Sequence, residues 1–340
     1  MLAISGYDLL NAGHDGIRYA WKYNSSKHYI ESAGFPNRSK GKDENICGYT
    51  TSVSSGCVLR QIGKQCRFCR TGNNLPFCGL LTYKEIVKQN VFMVLTDMYC
   101  EDHPELAHKS REFAYMGQGE PGFSYCQVRM AIELTNKIMR ELKQTVHRHV
   151  FATCGVPEAI KSYSDDLKYF YTERVTLHFS LHATDDRGQI MPINNLYPFG
   201  EVLGFVNSVY DISGDKPCIG IMLFNQFNPK GTDITYTNSL DKVINTLRAL
   251  NPKKCRLSFC EYNSSEDLGN AENYSKDDAV RVLEVARNMG FEAKLFSSFG
   301  RDEQAACGML GGKEPTNEVS AKWKYLEKLA DDLIQKNTHK

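Results

Sequence analysis

No stretch of this sequence is apolar for long enough to cross a bilayer. The longest apolar run, Cys218 to Phe224, is seven residues, against the roughly 20 that a spanning helix needs. The opening stretch MLAISGYDLLNAGHD carries neither a basic leader nor a long apolar segment. No export signal is therefore read there, and a cytoplasmic location without membrane attachment is expected. Charge of one sign is also lacking. Lys and Arg total 41 against 40 Asp and Glu, a net charge of +1, so no global basic field announces a nucleic acid. A polyanion would have to be met by local clusters such as RSKGK at 38–42 and KQTVHR at 143–148, each of which also reads as a solvated charged face. Low-complexity runs, internal repeats and long charged blocks are absent as well, which leaves an ordinary globular composition.

What is present is 340 residues with 41% apolar and 24% charged side chains. That is enough for about two domains at roughly 150 residues each, or for one large α/β barrel. Past residue 90, short apolar or β-branched runs alternate with helical stripes. The strand candidates are 149–153, 175–180, 218–224, 255–260 and 291–296. Between them Ala131, Leu134, Ile138 and Leu142 share one helical face, as do Leu240, Val243, Ile244, Leu247 and Leu250. A further helix is predicted from Ser275 as N-cap, with Asp277 and Asp278 in its first turn and Gly290 as its stop. Such alternation implies parallel strands with crossover helices, and ligands then gather at the C-terminal ends of the strands. Two short strands near 16–23 and 29–32 read as a small β extension. Val319, Trp323, Leu326, Leu329 and Leu333 predict a last helix that docks on the rest. The expected organisation is a β extension over 1–50, a core over 51–312 and a helical tail over 313–340.

Twelve cysteines are too few for a disulfide scaffold, and a reducing compartment would not keep bridges closed. Cys100, Cys126, Cys154, Cys218, Cys255 and Cys260 sit among apolar neighbours and read as small core residues. The segment SSGCVLRQIGKQCRFCRTG is different. Cys66-x-x-Cys69 places two thiols on one knuckle, with Cys57 nine residues upstream and Cys78 close behind. Three thiolates suit a [4Fe–4S] cluster with one iron left open, whereas a fourth from Cys78 would make a closed structural metal site. A second motif, Met116-Gly-Gln-Gly-Glu-Pro121, offers glycines for close backbone approach to a ligand and a carboxylate, Glu120, at a strand end.

These motifs, followed in order by Ser180-Leu-His-Ala183, Met191-Pro-Ile-Asn194 and Gly300-Arg-Asp302 leading into Ala305-Ala-Cys-Gly-Met-Leu310, resemble one family. It is the radical S-adenosylmethionine (radical SAM) methyltransferases that modify adenine carbon 2 or carbon 8 in ribosomal and transfer RNA. The resemblance runs from about residue 16 to residue 312. It implies a partial (β/α)6 TIM-like barrel, an enzyme, a [4Fe–4S] cluster and SAM as cofactors, RNA as a partner and an electron donor such as flavodoxin or ferredoxin. It implies that Cys57, Cys66 and Cys69 hold the cluster, and that Gly119 and Glu120, Ser180, Leu181 and His182, and Asn263 bind SAM. Cys307 matches the cysteine that is methylated and passes a one-carbon unit to an sp2 carbon. A thiolate that accepts the methyl group, followed by a radical step, suits an electrophilic amidine carbon.

The sequence departs from that family in four places. The family spaces its cluster ligands CxxxCxxC, and here Cys57 lies further upstream. Either Cys57 is a ligand and Ser52 stands where the resolving cysteine belongs, with Cys47 as a substitute, or Cys57 is the resolver and the cluster is one ligand short. Ala152 replaces a serine in Ala152-Thr-Cys-Gly155, and the loop after Ala183 is two residues short. Finally, only 56 residues precede Cys57, and no helical RNA-reading domain is read in them. Two other readings follow: a radical SAM enzyme without methyl transfer acting on something other than RNA, and a non-catalytic module stabilised by a metal.

Overall fold

The computed structural model describes residues 17–22, 29–35, 45–263, 267–296, 308–311 and 321–338, and residues 4–12 and 23 by their backbone. Cys307 and Val319 lie outside the described residues. The architecture is one twisted sheet with helices packed along it. Three strands, β1 (Ile4–Ala12), β2 (Ile17–Tyr23) and β3 (Tyr29–Phe35), run antiparallel to one another. The last of them pairs antiparallel with β4 (Ile46–Thr50). From β4 onward the sheet is parallel: β5 (Ser110–Tyr115), β6 (Val146–Thr153), β7 (Val175–Ser180), β8 (Cys218–Pro229), β9 (Arg256–Glu261) and β10 (Glu292–Phe296) follow in spatial order.

Each parallel connection carries one long helix: α1 (Tyr83–Met98), α2 (Tyr125–Glu141), α3 (Pro157–Tyr169), α4 (Phe199–Ser213), α5 (Leu240–Arg248) and α6 (Lys276–Asn288). These are six strand–helix units followed by an edge strand, in keeping with the expected open (β/α)6 arrangement. The expected strands all form, although β6 begins at Val146, and β8 runs on to Pro229 to pair with two short strands at Tyr236–Thr237 and Gly269–Asn273. Ser275 caps α6 as predicted, its hydroxyl accepting from the Asp278 N–H at 3.0 Å.

Helix α1 carries no readable stripe, because polar side chains are buried with the apolar ones on all its faces. Glu85, Lys88, Gln89, Asn90 and Asp97 are buried together with Ile86, Val91, Phe92 and Leu95. Each has a partner. Glu85 closes a capping box with Thr82, Gln89 bonds both backbone groups of Ser52 at 3.0 Å, and Asn90 donates to Thr135 at 3.1 Å. The last helix, α7 (Ala321–Thr338), docks on α1, with Lys88 reaching Glu327 at 2.8 Å and Asp331 at 3.0 Å. Its Trp323 lies against Tyr19 of β2 and Phe92 of α1. Among the described residues no helix is long and apolar enough to cross a membrane.

Strand register decides what faces the interior. Ala152, His178, Cys218, Arg256 and Glu292 stand in one row across β6 to β10, and Ser180, Gly220, Ser258 and Lys294 form the next. All of them line one cavity. A closed barrel commonly fills such rows with bulky branched side chains. Here small residues (Ala152, Cys218, Ser180, Gly220 and Ser258) stand among polar ones, and a space of about 410 Å³ stays open.

Candidate functional site

The segment after β4 crosses the C-terminal ends of the strands and is tied down at each turn. Thr51 N–H donates to Ala114 O at 2.9 Å, Arg67 N–H to Ile190 O at 2.9 Å and Arg70 N–H to Gly308 O at 3.0 Å. The Asn73 amide donates to the carbonyls of Cys66 at 2.8 Å and Cys69 at 2.7 Å, fixing the knuckle between the two cysteines. Arg70 forms a two-bond contact with Asp267 at 3.0 and 3.1 Å. The result is that Cys57, Cys66 and Cys69 line one cavity of about 210 Å³ together with Gly119, Glu120, Ser180 and His182.

Glu120 is held by three donors. Its Oε1 accepts from Thr153 Oγ1 at 2.6 Å and Gly122 N–H at 2.8 Å, and its Oε2 accepts from Cys154 N–H at 2.9 Å. Gly119 sits at φ +103, where a Cβ would come within 2.1 Å of Ser54 Oγ, so only glycine fits this close approach. His182 is in the left-handed region at φ +63, its ring edge-on to Phe68 at 5.2 Å. Its Nδ1 is buried and takes no hydrogen bond among the described residues. Strain and an orphaned polar atom on a cavity wall are features of ligand sites. Burial, with Arg187 nearby, holds the His182 imidazole down to about 3, so it is neutral.

The other expected residues fall in different places. Asn263 lines the larger cavity, which shares Phe68, Ser180, His182 and Gly308 with the smaller one. Leu181 is fully buried and lines neither; its N–H donates to Phe179 O and Gly220 O. Cys78 is exposed and lines neither cavity. Cys47 faces the other side of β4, where burial, with Asp97 beside it, pushes its thiol up to about 12. The Ser52 hydroxyl is occupied, donating to Glu31 O and accepting from Gln118 N–H at 2.7 Å.

Two residues at the site were not singled out from the sequence. Cys154 belongs to the buried core as expected and also lines the cavity with Cys66; Cys126, also read as core, is exposed, which corrects that reading. Arg187 is fully buried. It donates to Leu181 O at 2.9 Å, Cys154 O at 2.8 Å and Ser180 O at 3.1 Å, placing a cation near Cys154 and Cys66. The position of Arg187 just before the Met191–Asn194 motif was the signal available for it. The signal for Cys154 was its place at the end of a strand two residues after Ala152.

The donor chemistry suits an iron–sulfur cluster. The Cys57 thiol is pushed well up by burial and then by Cys69, and that of Cys154 by its hydrogen bond to Cys66, by burial and by Glu120. Thiols crowded in this way ionise together only when a bound cation neutralises them. Among the described residues no three His, Cys, Asp or Glu side chains already converge at single-ion spacing. A cubic cluster does not require that, since each thiolate binds a different iron.

No family model matches the chain. It is 28% identical over 274 residues to the probable dual-specificity RNA methyltransferase RlmN of Pseudothermotoga lettingae, covering 78% of this chain and 71% of that protein. It is 29% identical over 319 residues to the dual-specificity RNA methyltransferase RlmN of Desulfotalea psychrophila, covering 91% and 78%. A crystal structure of a radical SAM methyltransferase from Sphaerobacter thermophilus superposes with a TM-score of 0.72 at 21% identity, over 92% of this chain and 82% of that one. The family resemblance drawn from the motifs and the expected fold are both borne out.

Proposed function

We propose that this chain, a homologue of the radical SAM RNA methyltransferases, is itself a radical SAM enzyme that transfers a one-carbon unit to an sp2 carbon of RNA. The observation that carries this reading is the meeting of Cys57, Cys66 and Cys69 with Glu120, Ser180 and His182 around one cavity at the C-terminal ends of parallel strands. Bound there, a [4Fe–4S] cluster supplies the electron for reductive cleavage of SAM to a 5′-deoxyadenosyl radical.

The residues divide the work. The three thiols hold the cluster, and the buried Arg187 offsets negative charge at Cys66 and Cys154. Glu120, pinned by three donors, presents a fixed carboxylate to the SAM amino group. The neutral His182 and Ser180 border both cavities, so SAM in the smaller reaches substrate in the larger. Gly119 brings its backbone close, and Asn263 binds the methionyl end. Apolar walls exclude water from the radical. Cys307, next to the cavity-lining Gly308, carries the methyl group as a thioether.

RNA as substrate draws support from the relatives; the larger cavity carries charge of both signs, Arg148, Arg256 and Lys294 with Glu261 and Glu292. Cytoplasmic reducing conditions and a flavodoxin- or ferredoxin-type donor complete the setting. Radical cleavage without methyl transfer is the second reading. It is favoured by one observation: Ser52 is tied up by hydrogen bonds and Cys47 faces away, so neither supplies a resolving thiol at the cavity.

The test is anaerobic reconstitution followed by incubation with SAM, a reductant and RNA. Four irons per chain, 5′-deoxyadenosine, and a methyl group on Cys307 by peptide mass spectrometry are expected. Stoichiometric zinc without SAM cleavage would end the reading, and 5′-deoxyadenosine with a bare Cys307 would select the second one.

A further inference from the structure

Among the described residues four thiols line the smaller cavity, and three of them come from the segment after β4. The fourth, Cys154, comes from the end of β6 and is held in place from several sides. Its N–H donates to Glu120 Oε2 at 2.9 Å, and its carbonyl accepts from Arg187 Nη2 at 2.8 Å. Gly155 follows at φ +109, where a Cβ would come within 2.9 Å of the Phe179 ring, so this tight turn after Cys154 takes only glycine. The residue is 6% exposed. It lines the same cavity as Cys66 and the Glu120 carboxylate. The same wall carries the orphaned Nδ1 of His182.

We propose that Cys154 is a fourth cluster ligand, holding in the SAM-free enzyme the iron that Cys57, Cys66 and Cys69 leave open and yielding it when SAM binds; this rests on the cluster reading above. The placement explains why the thiol shares its site with Glu120. The group that takes the SAM ammonium and the group that must depart when SAM arrives belong side by side. The exchange balances without an outside reagent. The iron–sulfur bond to Cys154 breaks, and bonds form from iron to the amino nitrogen and a carboxylate oxygen of SAM. Binding through nitrogen requires the ammonium to shed one proton, and the displaced Cys154 thiolate takes it up as a thiol. No electron moves. Held four-coordinate, the iron is shielded from loss by oxidation until SAM is present.

The test compares the full chain, reconstituted anaerobically, with Cys154→Ala and the near-isosteric Cys154→Ser. Iron is counted first. The SAM-free proteins are then oxidised stepwise with ferricyanide while the electron paramagnetic resonance signal of the three-iron form is followed. The wild type is expected to keep four irons, both variants to lose one several-fold faster, and SAM to restore the variants to the wild-type rate. SAM should also bind the variants several-fold more tightly by equilibrium dialysis, since nothing has to be displaced. Equal iron loss in all three proteins would overturn the proposal and leave the cluster reading standing. A covalent RNA adduct accumulating in the alanine variant would also overturn it, by marking Cys154 as a resolving thiol. A wild type that binds no iron would remove the cluster reading itself. The serine variant keeps the comparison available if alanine leaves the chain unfolded.

Discussion

Replacing Glu120 by Gln separates a structural from a ligand-binding role at the centre of the site. The carboxylate satisfies three buried donors with two oxygens. An amide has one oxygen, which can keep Thr153 and Gly122 on it, and its NH2 then faces the Cys154 N–H. That donor is left unsatisfied in a buried loop, at a cost of about 1–3 kcal/mol. At roughly 2.1 cal/mol/K of unfolding entropy per residue, a chain of 340 residues loses about 1.5–4 °C in Tm for that amount. Binding should suffer independently. Loss of one hydrogen bond from the SAM amino group to the charged Glu120 carboxylate is worth about 1.5–3 kcal/mol, or about 10- to 150-fold in Kd. Differential scanning calorimetry and equilibrium dialysis of the reconstituted protein read the two effects separately. If Tm falls as expected while SAM binds with unchanged affinity, Glu120 is only a strut for the Cys154 loop and the assignment of the SAM amino group to it is wrong.

Three further outcomes follow from other parts of the molecule. Alanine at Cys66 or Cys69 should abolish iron retention, whereas Cys78→Ala, at an exposed position that does not line the cavity, should leave the iron count unchanged; iron loss from the Cys78 variant would point to a closed metal site. His149 is fully buried, its Nε2 2.8 Å from Asn136 Oδ1, and burial lowers it to about 3. The unfolded chain binds a proton there near pH 6.5 and the folded chain does not, so this contribution to stability is present above pH 6.5. It is lost as pH falls towards 3, by up to about 1.4 kcal/mol per pH unit; urea unfolding at pH 7 and pH 5 should show a shallower dependence in His149→Gln. Leu326 of α7 is 1% exposed, and Leu326→Ala should cost about 2–5 kcal/mol in the same assay, whereas a loss below 0.5 kcal/mol, roughly what surface changes produce, would show that α7 is not docked on α1.

Much of this molecule was legible in its sequence, because local signals carried it. Strands β7, β8 and β10 begin or end within a residue of their apolar runs, and α6 starts at its serine cap. The motifs at 57–69, 116–121 and 180–183 fall on loops at strand ends, where α/β folds place their ligands. Helix α1 was not legible. Its polar residues are buried and paired with chain segments far away in sequence, so no period of 3.6 appears in it.

The sequence by itself determined the alternation of strands and helices and the residue types available for chemistry, since backbone propensity and short-range spacing act within a few neighbours. Only the tertiary structure decided which cysteines could act together. Cys47 and Ser52 are taken up by Asp97, Glu31 and Gln118, and Cys78 is left in solvent. Cys154, among the least conspicuous of the twelve in the sequence, stands beside Cys66. Side-chain direction in a strand reverses with every residue, and which loop lies over which strand end is fixed by contacts between segments far apart in sequence (Arg70 with Asp267 and Gly308, for example), so neither can be read from any one stretch of the chain.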